Sequence, residues 1–280
     1  MFSQRIQQRE QLWWKTKHPN IHSKKYCHGL LTRDAPEAQW KCCPFWQRKL
    51  NNKWNGREFA ARHGARLPQL YWSGRAADQM PFDELPSHYV VRSTSGSNKK
   101  GVLVMADGTS VYEQKSYDRS ALKARLQQLL ERGFSNTQLL VEEFVRNEAG
   151  AFKLPRDYKF DMFGDVIASI LVINRGRDGR SEETTTTYYD ADWKQLPFEV
   201  FTQLRQGPEQ APPACLDALK ELARRLGRAH ETYVRIDLFA GEDGPVFGEF
   251  SPTPGAGRCF TPEADRYFES FWCEHFPNAL

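Results

Sequence analysis

Long hydrophobic runs are missing from this 280-residue chain. The strongest apolar stretch, residues 166–173, is strand-length and is interrupted by Ser169. It falls far short of the ~18 residues that cross a bilayer, so no membrane span is expected. Cysteine is scarce: six residues, too few for a disulfide scaffold. Cys27, His28, Cys42 and Cys43 crowd together, but they lack the paired spacing that closes a zinc tetrahedron, and incidental thiols are expected. The amino terminus, MFSQRIQQRE, lacks the apolar centre of a signal peptide. These absences together predict a reduced, cytoplasmic protein. No Gly-Lys-Ser/Thr ending of a Walker loop is present, which excludes a P-loop, and no Ser-His-Asp or Cys-His set stands out.

What is present is ordinary in bulk and uneven in detail. A hydrophobic share of 40% and a charged share of 26% describe a soluble globule of one large or two smaller domains. The net charge of +4 hides a split. Residues 1–60 hold 12 Lys and Arg against 4 Asp and Glu, so the other 220 residues carry four net negative charges. Five of the eight tryptophans, Trp13, Trp14, Trp40, Trp46 and Trp54, lie in that basic opening. Such a segment suits phosphate and ring binding, or it is a solvated basic face with packed tryptophans. No RNP, zinc-finger or helix-turn-helix pattern accompanies it, so nucleic acid is not the expected partner.

Patterning predicts a short helix around residues 55–64 ended by Gly64, then a Pro- and Asp-rich linker over residues 72–86. Strands are expected at 88–92 and 102–105, flanking a polar loop at 93–101. A helix capped by Asp118 carries Leu122, Leu126, Leu129 and Leu130. Strands follow at 138–144, 158–163 and 166–173, then a polar, threonine-rich stretch at 184–187. A second amphipathic helix shows Leu216, Leu219, Leu222 and Leu226 and stops at Gly227, before a hairpin of 233–239 and 245–250. Hairpins between isolated helices predict α+β layers with mostly antiparallel sheet.

The last hairpin carries the sharpest chemistry. Alternation puts Arg235 and Asp237 on one face and Val234, Ile236 and Leu238 on the other, and pairing brings Glu249 beside Asp237. Two carboxylates suit a Mg²⁺ shared with nucleotide phosphates, and a nearby guanidinium suits charge on a transferred phosphoryl. A cross-strand salt bridge would use the same residues, but the Gly-rich segment at 252–257 favours the anion site. Residues 93–101, with Ser95, Gly96, Ser97, Lys99 and Lys100, form either an anion-binding nest or a solvated turn. A third apolar strand ends in Glu142 and Glu143, before Phe144 and Val145; Asp157 and Lys159 follow after a gap.

In this order the motifs resemble the ATP-grasp superfamily, and most closely its teichuronopeptide-biosynthesis (TupA-like) branch. The match runs through residues 53–58 (Lys-Trp-Asn-Gly-Arg-Glu), 90–98, 142–144, 157–160, 235–237 and 248–255, covering roughly residues 50–270. The resemblance implies an ATP-grasp fold, two α+β subdomains sandwiching ATP, behind a basic N-terminal segment. It implies that residues 142–145 meet adenine, that Asp157 holds the ribose and that Lys159 lies by the nucleotide. Arg92 takes the place of a phosphate-binding lysine, and the loop from Ser95 to Gly101 closes over the phosphates. Asp237 and Glu249 hold Mg²⁺, with Ser251 where the wider superfamily often has Asn. It implies that Arg235 stabilises the tetrahedral intermediate, with Thr253 and Gly255 beside it. Apart from the resemblance, Arg175 in the Arg-rich segment 174–180 either helps hold a carboxylate or the γ-phosphate on the substrate side or belongs to a solvated loop.

The expected boundaries are a basic, Trp-rich region at 1–86 and a catalytic domain at 87–280, with subdomains near 87–145 and 146–280. The expected function is an ATP- and Mg²⁺-dependent carboxylate–amine ligase. It would join a small-molecule carboxylate, such as an amino acid, to a small amine, amino sugar or peptide in glycan or specialised-metabolite assembly. Two rivals stand beside it: a phosphotransferase acting on a sugar or polyol hydroxyl, and a nucleic-acid- or glycan-binding module using the basic opening.

Overall fold

The structure, a computed structural model, describes residues 29–43, 46–97, 100–131, 133, 137–174, 184–202, 205–252, 254 and 260–276. Two six-stranded sheets dominate it. The first contains β1 (Leu70–Gly74), β2 (His88–Ser97), β3 (Lys100–Ala106), β4 (Thr109–Ser110), β5 (Lys115–Ser116) and β6 (Leu139–Glu143), in the order β1-β6-β2-β3-β4-β5. The second contains β7 (Asp157–Phe163), β8 (Val166–Asn174), β9 (Thr185–Tyr189), β10 (Arg205–Gln206), β11 (Tyr233–Gly241) and β12 (Gly244–Ser251), in the order β10-β9-β8-β7-β11-β12. All neighbouring pairs are antiparallel except β9 with β10. The helices are α1 (Glu37–Trp40), α2 (Lys53–Arg62), α3 (Arg119–Glu131), α4 (Leu216–His230) and α5 (Pro262–His275). None of the helices among the described residues is long and apolar enough to cross a membrane.

Strand alternation decides which face each sheet buries. In the first sheet Tyr89, Val91, Leu103, Met105, Leu139 and Val141 pack on Leu122, Leu126 and Leu129 of α3. That helix begins as its sequence predicts, with Asp118 Oδ1 accepting from the Ala121 amide at 2.7 Å. In the second sheet Tyr158, Phe160, Ile170, Val234, Ile236 and Leu238 pack on Leu219, Leu222 and Leu226 of α4. Trp40, Trp46, Leu50, Phe59 and Ala60 join the same cluster. Two tryptophans of the basic opening are therefore core residues; Trp13 and Trp14 lie outside the described residues.

Four local expectations change. Part of the supposed linker is a strand: β1 pairs with β6, but a register shift between Leu70 and Trp72 hides its alternation. The loop at 93–101 is mostly strand, because Ser93 and Thr94 continue the ladder and Thr94 Oγ1 accepts from the Gln138 amide at 3.0 Å. The threonine stretch is β9, with Thr186 and Thr187 buried; β-branched side chains suit a strand whatever their polarity. Finally, α4 runs past Gly227 to His230. Gly227 is there for proximity, since a Cβ on it would stand 2.2 Å from the Gly164 carbonyl oxygen at the β7–β8 turn.

Candidate active site

Between the two sheets lies a cavity of about 440 Å³. The second sheet supplies one wall, and its register orders the charges. Asp237 on β11 stands between Lys159 on β7 and Glu249 on β12, and Arg235 between Asp161 and Ser251. Asp237 is the hub: Arg235 Nε donates to its Oδ1 at 2.8 Å and Nη2 to its Oδ2 at 3.1 Å, while Lys159 Nζ also binds Oδ2. Lys159 in turn lies 3.1 Å from Asp157 Oδ2. Arg235 Nη2 also donates to Ser251 Oγ at 3.1 Å, which fixes the plane of its guanidinium.

A bulge between Asp237 and Leu238 makes Gly248 the extra residue of β12. A Cβ there would lie 2.8 Å from the Asp237 carbonyl oxygen, so only glycine lets Glu249 sit directly across from Asp237. The other wall is the first sheet. Arg92 Nε donates to Glu142 Oε2 at 2.5 Å, and its Nη1 reaches across to the Gly248 carbonyl at 3.0 Å.

The third side comes from α2. Asn52 caps it, accepting from the Trp54 and Asn55 amides. Its first residue, Lys53, donates to Glu249 Oε2 at 2.7 Å, and Arg57 one turn later donates to Glu142 Oε1 at 2.6 Å. Glu142 therefore pairs with two guanidinium groups while only 2% exposed. Burial would push the Glu249 carboxyl up, but Lys53 and Lys159 outweigh it and hold it at about 2, ionised at any physiological pH. Burial also works against the Arg235 charge, and Asp237 beside it more than restores that charge, raising its pKa. Asp161, fully buried, is raised by burial; Tyr233 and Ser169 donate to it at 2.7 and 2.8 Å.

Of the residues expected from sequence, Arg92, Glu142, Glu143, Phe144, Val145, Asp157, Lys159, Arg235, Asp237 and Glu249 line this one cavity. Glu143 closes the ladder of β6 and accepts from the Gln69 amide at 3.0 Å; Phe144 and Val145 follow it, buried. Ser251 stands behind Arg235, and Ser95 Oγ is paired with Thr137 Oγ1 at 2.6 Å. Gly96 and Ser97 end β2 and Lys100 opens β3. Lys99, Thr253, Gly255 and Arg175 lie outside the described residues. Sequence reasoning missed Lys53 and Arg57 as site residues. Their spacing of four puts two cations on one helix face, which asks for acids elsewhere in the fold. The remaining lining is mostly apolar, with Val90, Val102, Val104, Leu171, Ile173 and Phe239, beside Tyr112 and Thr186.

Comparison with known proteins fits this geometry. A family model described as TupA-like ATPgrasp matches residues 47–271. Among solved structures, D-alanine–D-alanine ligase from Bacillus anthracis complexed with ATP superposes with a TM-score of 0.53 at 14% identity, over 82% of this chain and 67% of that one. VanG D-Ala:D-Ser ligase from Enterococcus faecalis gives 0.52 at 13%, over 85% and 64%. At such identities the likeness is one of fold. No curated protein matches the chain.

Proposed function

The chain belongs to the TupA-like ATP-grasp family, and from that premise we propose that it is an ATP- and Mg²⁺-dependent carboxylate–amine ligase. The observation that carries the reading is the cross-strand pair Asp237 and Glu249, set beside Arg235 in a cavity that Lys53, Arg92 and Lys159 also line. The donor set fits Mg²⁺: two carboxylates on adjacent strands, with open cavity for phosphate oxygens and waters to complete an octahedron. Asp237 and Glu249 would hold the ion, which when bound neutralises phosphate charge.

In this reading the apolar end takes the purine, residues 142–145 offer edge hydrogen bonds and Asp157 meets the ribose. Arg92 keeps one edge on Glu142 and turns to phosphate the N–H groups that neither Glu142 nor the Gly248 carbonyl holds. Lys159 adds charge from the other sheet, and the segment from Ser95 to Lys100 is proposed to close over the phosphates. Residues 87–145 and 146–280 are the two halves that close on the nucleotide, and the region at 1–86 adds β1 and α2. A substrate carboxylate oxygen attacks the γ-phosphorus and ADP leaves; an amine then attacks the acyl carbon and phosphate leaves. Arg235, its guanidinium fixed by Asp237 and Ser251, is placed to meet charge on both the phosphoryl group and the tetrahedral carbon. Thr253, Gly255 and Arg175 are the proposed substrate-side residues, and an amino acid joined to a small amine, amino sugar or peptide is the proposed chemistry.

The test is incubation with ATP, Mg²⁺ and amino acid–amine pairs. One ADP and one free phosphate per amide is the expected stoichiometry. A phosphorylated hydroxyl without free phosphate would make the enzyme a phosphotransferase, and turnover that survives both Asp237→Asn and Glu249→Gln would remove these residues from the site.

A further inference from the structure

One cation of the cavity wall comes from a helix rather than from a sheet. Lys53 begins α2, its side chain is 10% exposed, and its Nζ stands 2.7 Å from Glu249 Oε2. Both carboxylates that would hold Mg²⁺ therefore already carry built-in cations, Arg235 and Lys159 on Asp237 and Lys53 on Glu249. That restricts what else the pair can bind. Mg²⁺ demands six oxygens and in nucleotide sites takes one or two carboxylates, phosphate oxygens and waters. Asp237 and Glu249 suffice for one such ion. A second would need another hard ligand, and the described residues hold no group of three His, Cys, Asp or Glu. The neighbouring hydroxyl on the same face, Ser251 Oγ, is a neutral ligand that already accepts one hydrogen bond, from Arg235 Nη2 at 3.1 Å.

Resting on the reading of this cavity as an ATP site, we infer that Lys53, the cation held on Glu249, takes the place of a second divalent ion. Asp237 and Glu249 take a single divalent ion, and the Lys53 ammonium shares Glu249 with it and meets the transferring phosphate. It supplies the charge that two-metal phosphoryl sites draw from a second ion. A lysine suits this work: a compact charge with three donors on a flexible stem reaches from carboxylate to phosphate without rebuilding its helix. The helix itself is held. Asn52 caps it, and Arg57, one turn on, is anchored to Glu142 and to the Pro68 carbonyl at 2.9 Å. The Lys53 backbone thus has a set position relative to both walls.

The experiment counts metal ions. Mn²⁺, visible by electron paramagnetic resonance, is titrated into the full chain with the non-hydrolysable analogue AMP-PNP, and bound Mn²⁺ is compared with bound nucleotide. One Mn²⁺ per nucleotide is expected for the wild type. Lys53→Met should bind AMP-PNP at least tenfold more weakly at one equivalent of Mn²⁺. Excess Mn²⁺ should restore that affinity with a second bound ion, whereas Lys53→Arg should stay at one. Two ions on the wild type would overturn the inference and leave the ligase reading standing. So would a Lys53→Met protein whose affinity is unchanged, or one that excess Mn²⁺ fails to restore, as a merely structural lysine requires. A wild-type chain that binds no AMP-PNP would overturn both.

Discussion

Glu142 concentrates the residue-scale argument. It is 2% exposed and accepts from Arg57 at 2.6 Å and from Arg92 at 2.5 and 3.3 Å. Removing one partner of a buried ionic group leaves uncompensated charge and typically costs ~3–5 kcal/mol. Glu142→Gln should therefore lower stability by about that much in urea unfolding, although the change is isosteric. A loss under 1 kcal/mol would show that solvent reaches the two guanidinium groups. Glu249→Gln carries a different expectation: turnover down by ~10²-fold or more with the melting temperature little lowered, because this half-buried acid faces the cavity. Asp237→Asn should lose turnover and stability together, since its buried carboxylate pairs with Arg235 and Lys159. Much of this chemistry was legible in sequence. Alternation alone placed Arg235 beside Asp237, and pairing placed Glu249 opposite, as the register shows. The links from Lys53 to Glu249 and from Arg57 to Glu142, 196 and 85 residues apart, were not legible, because no local period encodes a contact between a helix and distant strands.

At the scale of elements, the misread segments share a cause: tertiary contacts overrode local signals. Gly227 looks like a helix stop, yet it lies inside α4 where the helix presses on the β7–β8 turn. Gly227→Ala gains ~1 kcal/mol of helix propensity but puts a Cβ 2.2 Å from the Gly164 carbonyl oxygen. Overpacking of this kind costs ~1–3 kcal/mol, so the variant should melt at a lower temperature than wild type. A higher one would mean that the turn yields. The last turn of α4 holds His230, fully buried between Trp46 and Phe250. Its Nδ1 lies 3.4 Å from the Thr232 carbonyl oxygen, to which it donates. Burial lowers its pKa from 6.5 to about 3. Below pH 6.5 the unfolded chain takes up a proton that the folded chain refuses, and stability falls with pH until about 3. The slope is at most ~1.4 kcal/mol per unit. Denaturant unfolding at pH 7 and pH 5 should show this loss, and His230→Phe should reduce it.

Among the described residues two sheets are tied across a cavity, and the ties are residues of the candidate site. Arg92 is rooted in β2 yet donates to the Gly248 carbonyl on β12 at 3.0 Å, while Lys53 and Arg57 link one helix to an acid on each sheet. The α+β layering was readable from hairpins and helix periods, but the facing of the sheets was not, because it depends on these few long-range polar contacts. Arg92 is the residue to probe, since the family resemblance leads one to expect lysine there. A lysine ammonium at this position keeps the charge but loses the fork that spans Glu142 and Gly248 together. Arg92→Lys should therefore bind AMP-PNP more weakly, by about tenfold, and lose ~1–3 kcal/mol of stability as one hydrogen-bonded charge is left short of partners. Calorimetry with and without Mg²⁺ and AMP-PNP separates the two effects. Ligand at a hundred times its Kd adds ~2.7 kcal/mol to a folded state that binds it, so saturating nucleotide should raise both melting temperatures by similar amounts while the apo difference persists. If the apo proteins melted together, Arg92 would serve the nucleotide alone, and the tie between the sheets would rest on α2.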